Sequence, residues 1–282
     1  MRTRSRALAL LALSLIGVAW TAGPAFGGLG LGGILQAPPS VSAWAPAASA
    51  QIHPGVQTYS ESGQCTANFV FTDGVDVYIG QAAHCTGTGG ATETNGCETG
   101  VMGFGTEVEV VGALNLGTVA YNSWETMQNV NEGNLSTCLG NDFALVRLHP
   151  ADHARVNPSV PFWGGPHGLD SSAPALEAVY GYGNSSLRGG LEELSPKVGT
   201  STGDSGGGWT HNVYTVTPGI PGDSGSAYLG SGGGALGVLS TLSITGSNQV
   251  SDLSRALDYM RAHTGLDAIQ LADGTEAFSP LL

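Results

Sequence analysis

Glycine, asparagine, aspartate and proline punctuate this chain so often that its apolar residues gather into short runs, too brief for helices and well sized for strands. The runs lie at 66–71, 75–79, 107–111, 142–148, 176–182, 212–216 and 235–244, each rich in Val, Tyr, Phe, Leu or Thr. Several alternate, and Val75-Asp76-Val77-Tyr78-Ile79 does so as a strand with one face in a core should. No long helical period runs among them, so the expected class is all-β, a sandwich or barrel. One α-helix is expected at 251–264: Ser251 can cap it, Leu253, Ala256, Leu257 and Met260 form an apolar stripe, and Gly265 can close it. The prolines between 150 and 174 mark a connection between two lobes.

The amino-terminal stretch reads as an export signal over 1–25, with Arg2, Arg4 and Arg6 ahead of an apolar segment from Ala7 to about Trp20 and small residues after it. Residues 26–55, rich in Gly, Ala and Pro, are expected to be a disordered leader extension or short pro-segment. Beyond residue 25 the chain carries 22 acids against 6 bases, a net charge of −16. Such a surface repels phosphate backbones and anionic lipid, which excludes nucleic-acid and stable membrane partners. Export permits disulfides, and Cys65, Cys85, Cys97 and Cys138 form an even set without C-x-x-C spacing, so two bridges are expected rather than zinc or redox chemistry. No cofactor and no metal site is implied, and no loop has the ligand spacing of a calcium site.

Chemistry concentrates on Gly222-Asp223-Ser224-Gly225, a turn in which a serine hydroxyl stands between two glycines that leave room for a substrate carbonyl. In a chain with 45 glycines the motif does not identify itself, and Gly203-Asp204-Ser205-Gly206 repeats it nineteen residues earlier. A nucleophilic serine needs a base, and the base needs an acid to hold its tautomer. Six of the seven histidines sit in ordinary polar stretches; His84 instead ends the run Val77-Tyr78-Ile79-Gly80-Gln81-Ala82-Ala83 and abuts Cys85, a rigid setting for a general base. Asp142 opens the apolar run Phe143-Ala144-Leu145-Val146, where a carboxylate can be drawn inward by a histidine N–H.

Gln81-Ala82-Ala83-His84-Cys85, Asn141-Asp142-Phe143-Ala144-Leu145 and Gly222-Asp223-Ser224-Gly225-Ser226 together resemble the three signature blocks of the chymotrypsin/trypsin-like serine peptidases, in that family's order and over residues 63 to 265. Val179-Tyr180-Gly181-Tyr182-Gly183-Asn184-Ser185 is also similar to the family's stretch opening the second barrel. The resemblance implies two antiparallel six-stranded β-barrels, at about 56–150 and 174–250, a C-terminal helix at 251–264 and a tail at 266–282. It implies that Ser224 attacks the scissile carbonyl, His84 carries the proton, Asp142 orients the imidazole, and the N–H groups of Gly222 and Ser224 form an oxyanion hole. A Cys65–Cys85 bridge pinning the histidine loop, and with it Cys97–Cys138, follow from the same resemblance. So do protein or peptide substrates, and the expectation for the chain itself is an extracellular monomer.

Ser224 is preferred to Ser205 because Ala235-Leu236-Gly237-Val238-Leu239-Ser240 follows it as the family's substrate-binding strand would, whereas 199–208 reads as a flexible surface loop. Asp204 and Asp223 are distinct from the triad acid. The family's activating Ile-Val-Gly-Gly start has no counterpart, so the exported bacterial branch is the nearer likeness and the oxyanion loop must be ordered by another device. Pro218 stands where trypsin-like members carry a pocket acid, and Ser240, Thr241 and Leu242 are the expected substrate-binding strand, with Leu242 narrowing the pocket toward small or medium apolar side chains. The alternative function is a catalytically silent homologue that binds other proteins.

Overall fold

Residues 63–72 run as one extended strand with a corner at 67–69, and the first lobe closes around that corner. The computed structural model describes residues 43–280 except 91 and 243–245. Within it β1 (Gln57–Ser60), β2 (Gly63–Thr66), β3 (Val70–Thr72), β4 (Val77–Gln81), β5 (Glu107–Val110), β6 (Gly117–Asn122) and β7 (Ala144–Arg147) form an antiparallel ladder in the order β3-β4-β7-β6-β5-β1-β2. The Ala67 N–H donates to Val56 on the β1 side at 2.9 Å, while the next residue, Asn68, donates to Gly80 of β4 at 2.8 Å. With β2 and β3 counted as one bent strand, the ladder is a six-stranded barrel.

The second lobe is a closed six-stranded barrel of β8 (Ala178–Tyr182), β9 (Pro196–Ser205), β10 (Thr210–Thr215), β11 (Ala227–Leu229), β12 (Ala235–Leu242) and β13 (Asn248–Asp252). Three short helices complete the body: α1 (Ser123–Asn129), α2 (Leu135–Gly140) and α3 (Leu253–His263). β-Branched residues fill the first barrel, with Val70, Val77, Ile79, Val108, Val119 and Val146 all buried, and Val179, Val213, Tyr228, Leu236, Leu239 and Val250 fill the second. A third cluster lies where the lobes meet and draws Phe71, Tyr121, Phe143 and Leu145 from one and Ala227, Leu229, Val238 and the α3 stripe from the other. Each large side chain buried there contributes about 1.5–3 kcal/mol, so the cleft between the lobes rests on a dry, rigid floor.

Several expectations shift. β4 is buried at all five positions rather than on one face, because Val77 and Ile79 point into the barrel while Tyr78 joins the cluster between lobes. Asp252, not Ser251, caps α3, its carboxylate accepting the Arg255 N–H at 2.7 Å. The stretch read as a flexible loop at 199–208 is a correction: most of it belongs to β9, paired on one side with β8 and on the other with β10. Its Gly, Ser and Thr composition hides a strand that needs small residues, since a side chain on Gly199 would collide with the Tyr214 backbone. Residues 43–55 pack onto the body, with Ile52 fully buried and Ala45 bonded to Val156 at 2.8 Å. The segment after 265 adds a further strand, β14 (Gln270–Leu271), beside β3. The expected signal over 1–25 lies outside the described residues.

His211, passed over as ordinary, is fully buried with Nδ1 2.7 Å from Asp204 and Nε2 2.9 Å from Asp252. Burial opposes its charge, but the two carboxylates outweigh burial and raise its pKa above the usual imidazole value. A raised folded-state pKa stabilises fully below the unfolded value of about 6.5 and is lost as pH climbs through the folded one. His211→Gln should therefore cost on the order of 3–5 kcal/mol near pH 6 by leaving the buried Asp252 carboxylate uncompensated, and the gap to the parent in denaturant unfolding should narrow as pH rises. A gap independent of pH would show that the imidazole is not charged in the folded state.

Candidate active site

His84 stands at the end of β4 on a tight turn, Ala83–Thr86, with Ala82 and Ala83 fully buried behind it. The disulfide from Cys85 to Cys65 on β2 fixes the next residue, and a second bridge joins Cys97 to Cys138 on α2. The His84 backbone N–H donates to Asp142 Oδ1 at 3.0 Å, and Nδ1 lies 2.7 Å from Asp142 Oδ2. An ionised carboxylate only accepts, so the proton sits on Nδ1 and Nε2 keeps its lone pair.

Asp142 is buried where β7 begins and accepts a third bond, from Ser240 Oγ at 2.6 Å. Its own N–H donates to Ser251 Oγ, which donates in turn to the Gly140 carbonyl. Burial alone would push the carboxyl up; the His84 charge and these bonds overcome it and hold the pKa below the usual carboxylate range. Burial likewise works against the His84 imidazolium, yet Asp142 outweighs it and raises the His84 pKa. Ser240, expected on the substrate strand, thus has its hydroxyl turned to the acid.

Ser224 follows a turn that only glycines allow: φ is +94° at Gly222 and +88° at Gly225. A Cβ on Gly225 would sit 2.9 Å from the Ala82 nitrogen, so this glycine lets the serine turn lie directly against the His84 segment. The Ser224 carbonyl accepts from Thr66 at 2.8 Å, and Gly225 donates to Leu239 on β12 at 2.7 Å. No hydrogen bond joins Ser224 to His84 among the described residues, a state common in unliganded sites whose catalytic bonds tighten on binding. The Gly222 and Ser224 N–H groups likewise donate to no protein acceptor among the described residues.

Asp223, between them, is fully buried with Arg188 Nη2 at 2.6 Å and Lys197 Nζ at 3.0 Å on one carboxylate oxygen. The other oxygen accepts the Ser185 N–H at 3.0 Å. Burial drags the Lys197 pKa down, partly offset by this carboxylate. Arg188 also donates to the Pro218 carbonyl at 3.0 Å, so cations back the loop where the pocket base is expected. Leu242 and Leu239 crowd Gly219 across the slot between that loop and β12, with Asn248 bonding the Gly219 N–H at 3.2 Å. Thr241 turns away, to Gln249. Beside it lies a cavity of about 350 Å³ lined by Leu135, Leu139, Thr241 and Ser205.

Ser205 has no base. Its hydroxyl pairs with Thr210 at 2.7 Å, and both nitrogens of nearby His211 are taken by carboxylates. The one close grouping of metal-capable side chains among the described residues, Cys65, His84 and Cys85, has both sulfurs in the disulfide and offers no thiolate. Arg188, Lys197, Gln64 and Asn248 were invisible to sequence reasoning, since each meets the site across a long separation without a local motif, and Ser185, though within the family-like stretch, carried no role there.

No protein-family profile matches the chain, and no curated protein does. Among solved structures it is similar to protease A of Thermobifida fusca, at 20% identity over 79% of this chain and 99% of that one, with a TM-score of 0.51. A glutamic acid-specific serine protease is 19% identical over 78% of this chain and 100% of that chain, TM-score 0.47. The chymotrypsin of Cellulomonas bogoriensis is 18% identical over 78% and 98%, TM-score 0.47. The likeness to protease A, with the two barrels and the C-terminal helix, gives the chain the chymotrypsin-like fold.

The His84–Asp142 geometry has a direct readout. Ring-proton NMR should report a His84 pKa above the usual value of about 6.5, and Asp142→Asn should drop it below that value, because burial then acts unopposed. A pKa unmoved by the substitution would mean the two side chains are not coupled.

Proposed function

We propose that this chain is a secreted serine endopeptidase that hydrolyses peptide bonds through His84, Asp142 and Ser224. The observation that carries the reading is a buried, triply bonded Asp142 presenting His84 with a free Nε2 beside a glycine-flanked serine whose turn offers two uncommitted N–H groups. In this reading Ser224 Oγ attacks the carbonyl carbon as Nε2 takes the hydroxyl proton. The oxyanion is received by the Gly222 and Ser224 N–H groups, a donor of this kind being worth about 2.7–4 kcal/mol. Collapse expels the amine with the proton from Nε2 and leaves an acyl-enzyme, and water repeats the sequence to release the acid and restore Ser224. The expected export signal, the two disulfides and the acidic composition support an extracellular setting. Among the described residues no helix is long and apolar enough to cross a membrane.

For the residue before the cleaved bond, the packing of Leu242 and Leu239 against Gly219 supports a small side chain. The carbonyl of Pro218 is already engaged by Arg188, and the carboxylate behind it, Asp223, is already taken by Arg188 and Lys197, which leaves it no charge to offer a lysine or arginine.

A fluorophosphonate should label the mature chain once, with labelling abolished in Ser224→Ala and retained in Ser205→Ala. A folded chain that never labels would replace the peptidase reading with that of a protein-binding module. Because His84 must be neutral, kcat/KM should rise with pH through an apparent pKa above about 6.5 and then level.

Peptide-mixture profiling should find cleavage after Ala, Ser or Val. Leu242→Gly should raise the preference for Phe over Ala by at least about tenfold. An unchanged profile would remove Leu242 from the pocket.

A further inference from the structure

The two uncommitted N–H groups of the serine turn are a consequence of where its carbonyls are held. The Pro221 carbonyl accepts from Ser185 Oγ at 2.6 Å. The Gly222 carbonyl accepts from Thr66 Oγ1 at 2.8 Å and Gln64 Nε2 at 2.9 Å. The Asp223 carbonyl accepts from the Ser226 N–H at 3.0 Å, and that of Ser224 from Thr66 at 2.8 Å. In a trans peptide the N–H points opposite to the carbonyl, so a carbonyl anchored toward Ser185 turns the Gly222 N–H away from it. The positive φ of Gly222 makes this peptide the pivot: a half-turn of the 221–222 plane would replace the N–H with an oxygen and turn a site for anions into one that repels them.

Ser185 is built for this task. It is almost fully buried, caps the short turn Ser186–Arg188 by accepting the Leu187 N–H at 3.1 Å, and donates its own N–H to Asp223. Its hydroxyl hydrogen has the Pro221 carbonyl as its bonded acceptor. Its neighbour Asn184 donates to Thr66 Oγ1 at 3.1 Å, tying this cradle from the second lobe to the β2 side chains of the first. Every group in the cradle is an internal side chain or backbone amide.

We infer that Ser185 is a positioning residue that, with Gln64 and Thr66 holding the following Gly222–Asp223 peptide, sets the Pro221–Gly222 peptide so that the Gly222 N–H can receive an oxyanion. The inference deepens the peptidase reading and rests on it for its kinetic consequence, while its geometric consequence stands alone.

Ser185→Ala leaves the Pro221 carbonyl without its donor. Peptide kinetics should show kcat falling about 100-fold, the scale for loss of one oxyanion donor, with KM within about twofold of the parent. Fluorophosphonate labelling of Ser224 should slow in parallel, the NMR-observed His84 pKa should stay where it is, and Ser185→Thr, which keeps the hydroxyl, should recover most of the rate. A crystal structure of Ser185→Ala should show the 221–222 peptide rotated or in two orientations. An unrotated peptide with parental kcat, or a fall in thermal stability alone, would overturn the assignment. If the parent chain neither cleaves nor labels, the peptidase reading fails, and the peptide's orientation in the variant crystal still decides the role of Ser185.

Discussion

Asp142 is the group on which the site's geometry depends, because its carboxylate is ionised, buried and shared by both lobes. From the first lobe it takes two N–H groups of His84, and from the second the hydroxyl of Ser240, while Ser251 on β13 fixes its backbone. A carboxylate so placed is tolerable only when all of these bonds close, since an unpaired buried charge costs several kcal/mol. The residue after it, Phe143, is fully buried with its ring 5.5 Å from Phe71 and 6.1 Å from Tyr121. Packing of that ring sets the register of β7 and so aims the carboxylate at His84. The bonds from Ser240 and Ser251 thus couple the docking of the second lobe to the setting of the His84–Asp142 pair.

Positive charge is scarce here, and its placement is informative. Of the six basic residues beyond residue 25, Arg188 and Lys197 both converge on Asp223 with side chains 8% and 0% exposed. Two cations on one carboxylate leave an uncompensated positive charge in the interior, an arrangement that pure stability would not favour. What it does is immobilise the residue between the two N–H groups that have no protein acceptor among the described residues.

The parts legible from sequence were those written locally. His84 is framed by Ala82, Ala83 and Cys85, Asp142 by the apolar run it opens, and α3 by its stripe; each could be read in a window of ten residues. α1 and α2 went unread although Asn122 and Asn134 cap them through N–H groups two and three residues on, because helices of seven and six residues show too little period. β9 went unread because its strand nature lies in two backbone ladders rather than in side chains. Gln64, Thr66 and Ser185 went unread because their meaning lies in bonds to Gly222 and Pro221, across 158, 156 and 36 residues of sequence. No pattern in one sequence can carry such separations.

The duplicated Gly-Asp-Ser-Gly makes the same point in a controlled way. Both copies place glycines at positive φ on either side, +106° and +59° at Gly203 and Gly206, +94° and +88° at Gly222 and Gly225. Backbone conformation therefore does not separate them. What separates them is the fate of the aspartate. Asp204 stays partly exposed near the end of β9 and bonds a histidine that another carboxylate has already claimed, leaving Ser205 with a threonine for company. Asp223 is fully buried and held by two cations, Arg188 and Lys197, on one carboxylate oxygen. One tetrapeptide thus stands in two environments, and the difference between them lies in the partners of its acid.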